Sequence, residues 1–348
     1  MSNYTVFIEC ITFNHAPYIV DAMNGFCIQQ TNFPYVAVIV DDASTDGEPK
    51  VIKQYLQEHF DLEDKDIVRN EETDDYILTF ARHKENHNCF FAVYLLKYNH
   101  YSIGKNKEPY YKDYIENTKY VALCEGDDYW TDPNKLQMQV DFLESHPEYS
   151  MCFHDVEVKV EEGRDMSEKD KFAFLREKEY TRQDQLEMMR IVPTCSIVIR
   201  QDVFSKYPHH PKFTIGDVVV VATALTYGRI WCMANKMGVY RLVPNGWTAL
   251  SDEKVCRSMF SHYQGMIESF SWYQCKRGYE TFRFWAFSLL MILKEKKGCE
   301  EEFTKYAEEY KKFTKEKTLW RFWLYYFNRK IRAFLRSLLG EKFVSHFR

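Results

Sequence analysis

The chain has 348 residues, 45% hydrophobic and 28% charged, with a formal net charge of −5. That composition is ordinary for a globular protein and long enough for a sizeable core and roughly two domains. The acidic balance argues against a nucleic-acid binder, and ten cysteines with no C-x-x-C pair leave a zinc or thiol-redox motif without support.

Val6 to Ile11 reads as a first strand, followed by the loop Thr12-Phe13-Asn14-His15-Ala16-Pro17. Ile19, Met23, Phe26 and Cys27 then recur at helical spacing. Val36 to Val40 is a continuous β-branched run, the pattern of a buried strand. It stops at Asp41-Asp42-Ala43-Ser44-Thr45-Asp46-Gly47, a cluster of turn and N-cap residues, and Val51 to Phe60 follows as a helix. Strand, helix, strand, helix in sixty residues predicts an α/β protein with a mostly parallel central sheet.

From Asp61 to Asp75 the many charges suggest a solvated loop or helix face. His83 and His87 stand one helical turn apart, but the His-Glu adjacency of a zinc protease is missing. Cys89 to Tyr98 is expected to be an amphipathic helix, and Glu108 to Lys119 a short connection.

The next stretch organises the rest. Tyr120-Val121-Ala122-Leu123-Cys124 is an apolar run ending in Glu125-Gly126-Asp127-Asp128-Tyr129-Trp130. Three carboxylates then sit at the carboxyl end of a buried strand, where an open α/β sheet keeps its ligand crevice. Crowding them is costly without a cation, and a hard divalent ion bridging substrate phosphates is the economical partner. The plainer reading is an acidic turn, since Gly-Asp-Asp is good turn chemistry. Asp41 and Asp42 occupy the same kind of place at the end of the second strand, where a carboxylate can accept from a base N–H or a sugar hydroxyl.

Asp132-Pro133 is expected to open a helix with Leu136, Val140 and Leu143 on one stripe. Ser150 to Val160 reads as an edge strand, Glu179 to Ile191 as a helix and Pro193 to Arg200 as a strand. Ile215-Gly216-Asp217 then leads into the apolar helix Val218 to Leu225, with Asp217 at its N-terminus.

Residues 252–348 are expected to be helical. From Lys311 to Arg348 eleven Lys and Arg stand against two Glu, interleaved with Trp320, Phe322, Trp323, Tyr325, Tyr326 and Phe334. Such a basic aromatic helix can lie at an anionic membrane surface through residues 315–348, or dock on the rest of the chain with a solvated face.

The blocks Thr12-Phe13-Asn14-His15, Gln29-Gln30-Thr31, Val40-Asp41-Asp42-Ala43-Ser44-Thr45-Asp46-Gly47 and Glu125-Gly126-Asp127-Asp128-Tyr129-Trp130-Thr131-Asp132-Pro133 together resemble a family 2 glycosyltransferase of the GT-A fold, over residues 4 to about 245. The resemblance implies a GT-A catalytic domain over 1–250 and a helical extension over 251–348. It implies a nucleotide-sugar donor, Mn²⁺ or Mg²⁺, and inverting transfer to a saccharide or lipid-linked saccharide in a bacterial surface-polysaccharide pathway, inside the cell at the inner face of the plasma membrane. By the same resemblance Thr12, Phe13, Asn14, Asp41, Asp42, Glu125 and Asp127 bind the donor, with Phe13 stacked on the base and Asp42 reading it. Asp127 and Asp128 contact the ribose and the metal, in either register, and Asp217 is the general base. Phe at 13 and Glu at 125 depart from the commoner Tyr and Asp. The rival reading is an inactive glycosyltransferase-like scaffold.

Overall fold

The computed structural model describes residues 4–188, 191–244 and 251–339, the last eight of these by backbone alone. It divides into two compact units, Met1–Pro208 with Asp217–Ala249, and His209–Gly216 with Leu250–Arg348.

The first unit opens as the hydrophobic periodicity dictates: β1 (Val6–Thr12), α1 (Ile19–Cys27), β2 (Tyr35–Asp41) and α2 (Glu48–His59). Every residue of β2 is buried, so this strand lies inside the sheet with both faces covered. Next come β3 (Phe60–Asp61), β4 (Arg69–Glu72), β5 (Tyr76–His83) and β6 (Cys89–Leu96). The expected helix over Cys89 to Tyr98 is thus a strand. Seven of the eight residues of β6 are buried, between parallel β2 on one side and antiparallel β5 on the other. A run apolar on both faces has no period to distinguish helix from strand, and the neighbouring strands decide it. The connection before the central strand contains α3 (Glu108–Glu116).

β7 (Tyr120–Leu123), β8 (Tyr129–Trp130), α4 (Lys135–Ser145), β9 (Tyr149–Val160), β10 (Lys178–Tyr180), α5 (Arg182–Met188), β11 (Val198–Arg200), α6 (Gln201–Phe204), α7 (Gly216–Tyr227) and β12 (Arg229–Leu242) follow. Positions 189–190 of the expected helix Glu179–Ile191 lie outside the described residues. The strand order is β10-β12-β9-β11-β7-β1-β2-β6-β5-β3, with β4 on β5 and β8 on β12. The four central strands β7, β1, β2 and β6 are parallel, and antiparallel pairings extend the sheet on both sides. β9 lies between β11 and β12 rather than at an edge.

Gln29, fully buried, joins α1 to α4. Its side-chain amide donates to the carbonyls of Gly25 (3.0 Å) and Asp132 (2.9 Å), and its carbonyl accepts from the Leu136 amide (3.0 Å). Gly25 is required on α1 because a Cβ there would stand 2.7 Å from the Trp130 amide nitrogen.

The second unit is helical: α8 (Asp252–Ser269), α9 (Lys276–Glu295), α10 (Glu300–Thr314) and α11 (Trp320–Leu339). α9 buries Phe282, Ala286, Phe287, Leu289, Leu290 and Leu293. The core is aromatic, with Phe282 5.3 Å from Phe260 and 5.9 Å from Tyr310 between ring centres. Residues 340–348 of the basic segment lie outside the described residues.

Candidate active site

The site grows from the sheet. Thr12 pairs with Asp41 across β1 and β2, while Glu9 pairs with Leu123 across β1 and β7. Parallel strands in register bring their carboxyl ends together, so the loops after β1, β2 and β7 meet. The Asp42 amide donates to the Thr12 carbonyl (3.0 Å), and the Gly126 amide to the Ile11 carbonyl (3.2 Å). Gly126 touches Thr12 so closely that a Cβ would stand 2.2 Å from the threonine Oγ1.

A residue missed in the sequence ties these loops. Glu48, the first residue of α2, is fully buried. Its carboxylate accepts from the Thr12 hydroxyl (2.5 Å), the His15 amide (2.8 Å) and the Ser44 hydroxyl (2.9 Å). Asn14 adds an acceptor for the Thr45 amide (2.8 Å). Asn14 and Ala43 hold left-handed φ values of 56° and 61°, uncommon for residues with a Cβ and seen where the surroundings over-determine the turn. Phe13, on this scaffold, is 43% exposed, open to an aromatic ligand.

Asp41 and Asp42 part ways. Asp41 is buried, one oxygen accepts from the Ser44 amide (2.8 Å), and the other has no hydrogen-bond partner. Burial raises its pKa to about 6. Asp42 is held by a loop nobody would pick from sequence: it accepts from the amides of His100 (2.7 Å) and Tyr101 (3.1 Å) and pairs with Lys107 at 2.9 Å.

In the third loop, carboxylate oxygens of Glu125, Asp127 and Asp128 come within 4.8 Å of one another. Asp128 is 1% exposed; one oxygen accepts from the Arg241 amide (2.7 Å) and the other has no hydrogen-bond partner. Burial, then the charge of Asp127, pushes the Asp128 pKa well up. Burial also raises Asp127, opposed by His15, whose Nε2 lies 3.9 Å from it. An all-oxygen set with a buried, unsatisfied carboxylate oxygen fits a hard divalent cation. Arg241 braces this loop from beneath. Its guanidinium donates to the Asp127 carbonyl (2.9 Å), pairs with Asp21 and with Glu161 (2.9 Å), and lies over the rings of Tyr18 and Tyr129.

Asp217 reaches the same end of the sheet by another route. β11 runs antiparallel to β7, so the turn before it, Thr194–Ser196, lies at the carboxyl end of β7. The Thr194 hydroxyl donates to Asp217 (2.9 Å), and the Trp130 indole donates to the Cys195 carbonyl (2.7 Å). Asp217 opens α7 and is 9% exposed.

Lys135 is fully buried, its ammonium 3.9 Å from the centre of the Trp130 ring and without a hydrogen-bond partner. Burial lowers its pKa to about 8. Lys135→Met keeps the volume and removes a buried charge, so at pH 7 it is expected to stabilise the fold by about 2 kcal/mol. Between pH 8 and 10.5 the unfolded lysine binds more protons than the folded one. Wild-type stability therefore gains on the variant as pH rises through that window, and the difference between their melting temperatures should shrink. A constant difference from pH 7 to 10.5 would rule this out.

No family model matches the chain. The uncharacterized proteins Rv1520 of Mycobacterium tuberculosis and Mb1547 of Mycobacterium bovis are each 33% identical to it over 242 residues. The match takes in 69% of this chain and 59% of theirs, so the chain spans about three fifths of the length of these curated relatives. The mannosyltransferase PcManGT from Pyrobaculum calidifontis, solved with GDP-Man and Mn²⁺, aligns with TM-score 0.48 and 13% identity, over 98% of this chain and 89% of that one. TarS residues 1–349 of S. aureus, solved with UDP-GlcNAc, aligns with TM-score 0.50 and 15% identity, over 90% of this chain and 76% of that one. At that identity the likeness is one of fold: this chain carries the mixed α/β fold of a protein crystallised with a nucleotide sugar.

Proposed function

We propose that the chain is an inverting glycosyltransferase that moves a sugar from a nucleotide-diphosphate donor to a hydroxyl of a saccharide or lipid-linked saccharide. The observation that carries this reading is the meeting of three loops at the carboxyl ends of β1, β2 and β7, the last two of them acidic, with one buried oxygen of Asp128 lacking a hydrogen-bond partner. Glu125, Asp127 and Asp128 would hold Mn²⁺ or Mg²⁺. Such an ion, when bound, neutralises charge on a diphosphate leaving group.

The chain's own residues do the rest. Phe13 stacks on the base. Asp42 and Lys107 form an acceptor–donor pair suited to a base N–H beside a carbonyl, the pattern of uracil, thymine or guanine rather than cytosine. Asp217 takes the proton from the acceptor hydroxyl. That oxygen forms its bond to the anomeric carbon as the bond to the diphosphate breaks on the opposite face, and the diphosphate leaves with the electron pair.

A second reading has one observation in its favour: Asp42 is already bound by two amides and a lysine, as in a scaffold that no longer takes a nucleotide. Thermal-shift measurements with UDP-, GDP-, CDP- and dTDP-sugars separate the two. The UDP-GlcNAc bound to TarS makes a uridine donor the first to try. A transferase should gain several degrees with at least one donor in Mn²⁺ and less in EDTA. No shift with any donor would favour the scaffold.

A further inference from the structure

Trp320, Leu324, Phe327 and Ile331 recur along α11 at spacings of four, three and four, so they form one stripe. All four are exposed, between 53% and 58%. The stripe is not an unfilled core face, because α11 already has one. Phe322 is fully buried, its ring 5.6 Å from Phe287 and 5.7 Å from Phe303.

We propose that α11 lies in the plane of an anionic lipid surface, with this stripe inserted among the lipids and its basic residues at the headgroups. Between Trp320 and Leu339 the sequence has five Arg or Lys and no acid. Arg321 pairs with Glu316 (3.3 Å) and Lys330 with Glu295 (2.8 Å). Both acids lie outside α11, and the sequence adds Arg329, Arg332 and Arg336 beyond these two pairs, so the segment keeps a positive balance. Charge selects the occupant: a second copy of the chain would set one basic helix against another, whereas an anionic bilayer offers opposite charge and an apolar layer together. Among the described residues no helix is long and apolar enough to cross a membrane, which agrees with in-plane binding.

The test is flotation of the full chain with vesicles of phosphatidylcholine alone, and of phosphatidylcholine with phosphatidylglycerol. The chain should float with the anionic vesicles only, and less as salt rises. The double variant Leu324→Glu, Phe327→Glu should bind at least about tenfold more weakly. Both side chains face solvent, so its melting temperature should match the wild type. Wild-type chain that stays unbound with both vesicles would overturn the proposal, as would a double variant that floats equally well. A concentration-dependent dimer abolished by the double variant, without vesicle binding, would also overturn it by assigning the stripe to a second copy. Nucleotide titration of the same variant reads the other site, so failure of the transferase reading shows separately.

Discussion

Asp217→Asn is expected to cut sugar transfer by about 10²–10⁴-fold, the usual worth of a positioned general base, and to leave donor binding unchanged. The substitution is nearly isosteric. The Thr194 hydroxyl, which now donates to Asp217 at 2.9 Å, can turn and accept from the new amide. The other oxygen still accepts from the Val218 amide (2.8 Å). Loss of rate thus reports loss of a base, not of the fold. Transfer measured under single-turnover conditions, beside donor titration, checks both halves. A variant that kept most of its rate would remove Asp217 from the chemistry.

Arg241→Met should have the largest effect on stability. The guanidinium side chain is 2% exposed and faces Asp21, Glu161 and the Asp127 carbonyl. Asp21 is 48% exposed and regains water, so the cost comes from the partly buried Asp127 carbonyl and Glu161 left without the charged donor, about 2–3 kcal/mol. For a unit of this size that is a fall of several degrees in melting temperature. The acidic loop should loosen as well, so any Mn²⁺ affinity should fall with stability. A variant within a degree or two of wild type would mean that the arginine contributes little beneath the loop.

The first sixty residues were legible because their elements carry strong periods and stop at turn chemistry, as in Val36 to Val40 followed by Asp41-Asp42. The acidic strand ends were legible for a related reason: carboxylates beside buried strands need partners. Cys89 to Leu96 misled because it is apolar on both faces. Glu48 gave the sequence no signal beyond an acid near a helix start, since its burial comes from Thr12 and His15, more than thirty residues away. Lys107 and Arg241 were hidden by the same cause, with Arg241 meeting Asp128 across 113 residues. Local pattern finds the groups that need a partner, and only the fold supplies the partners.

A nucleotide diphosphate and a divalent ion are expected to bind together on the loops after β1, β2 and β7. Calorimetric titration of UDP and GDP into the wild type and into Asp128→Asn, each with Mn²⁺ and with EDTA, tests this most directly. The wild type should bind at least one nucleotide in Mn²⁺, and EDTA or the substitution should weaken that binding about tenfold or more. Equal heats in all four conditions, or none in any, would contradict it.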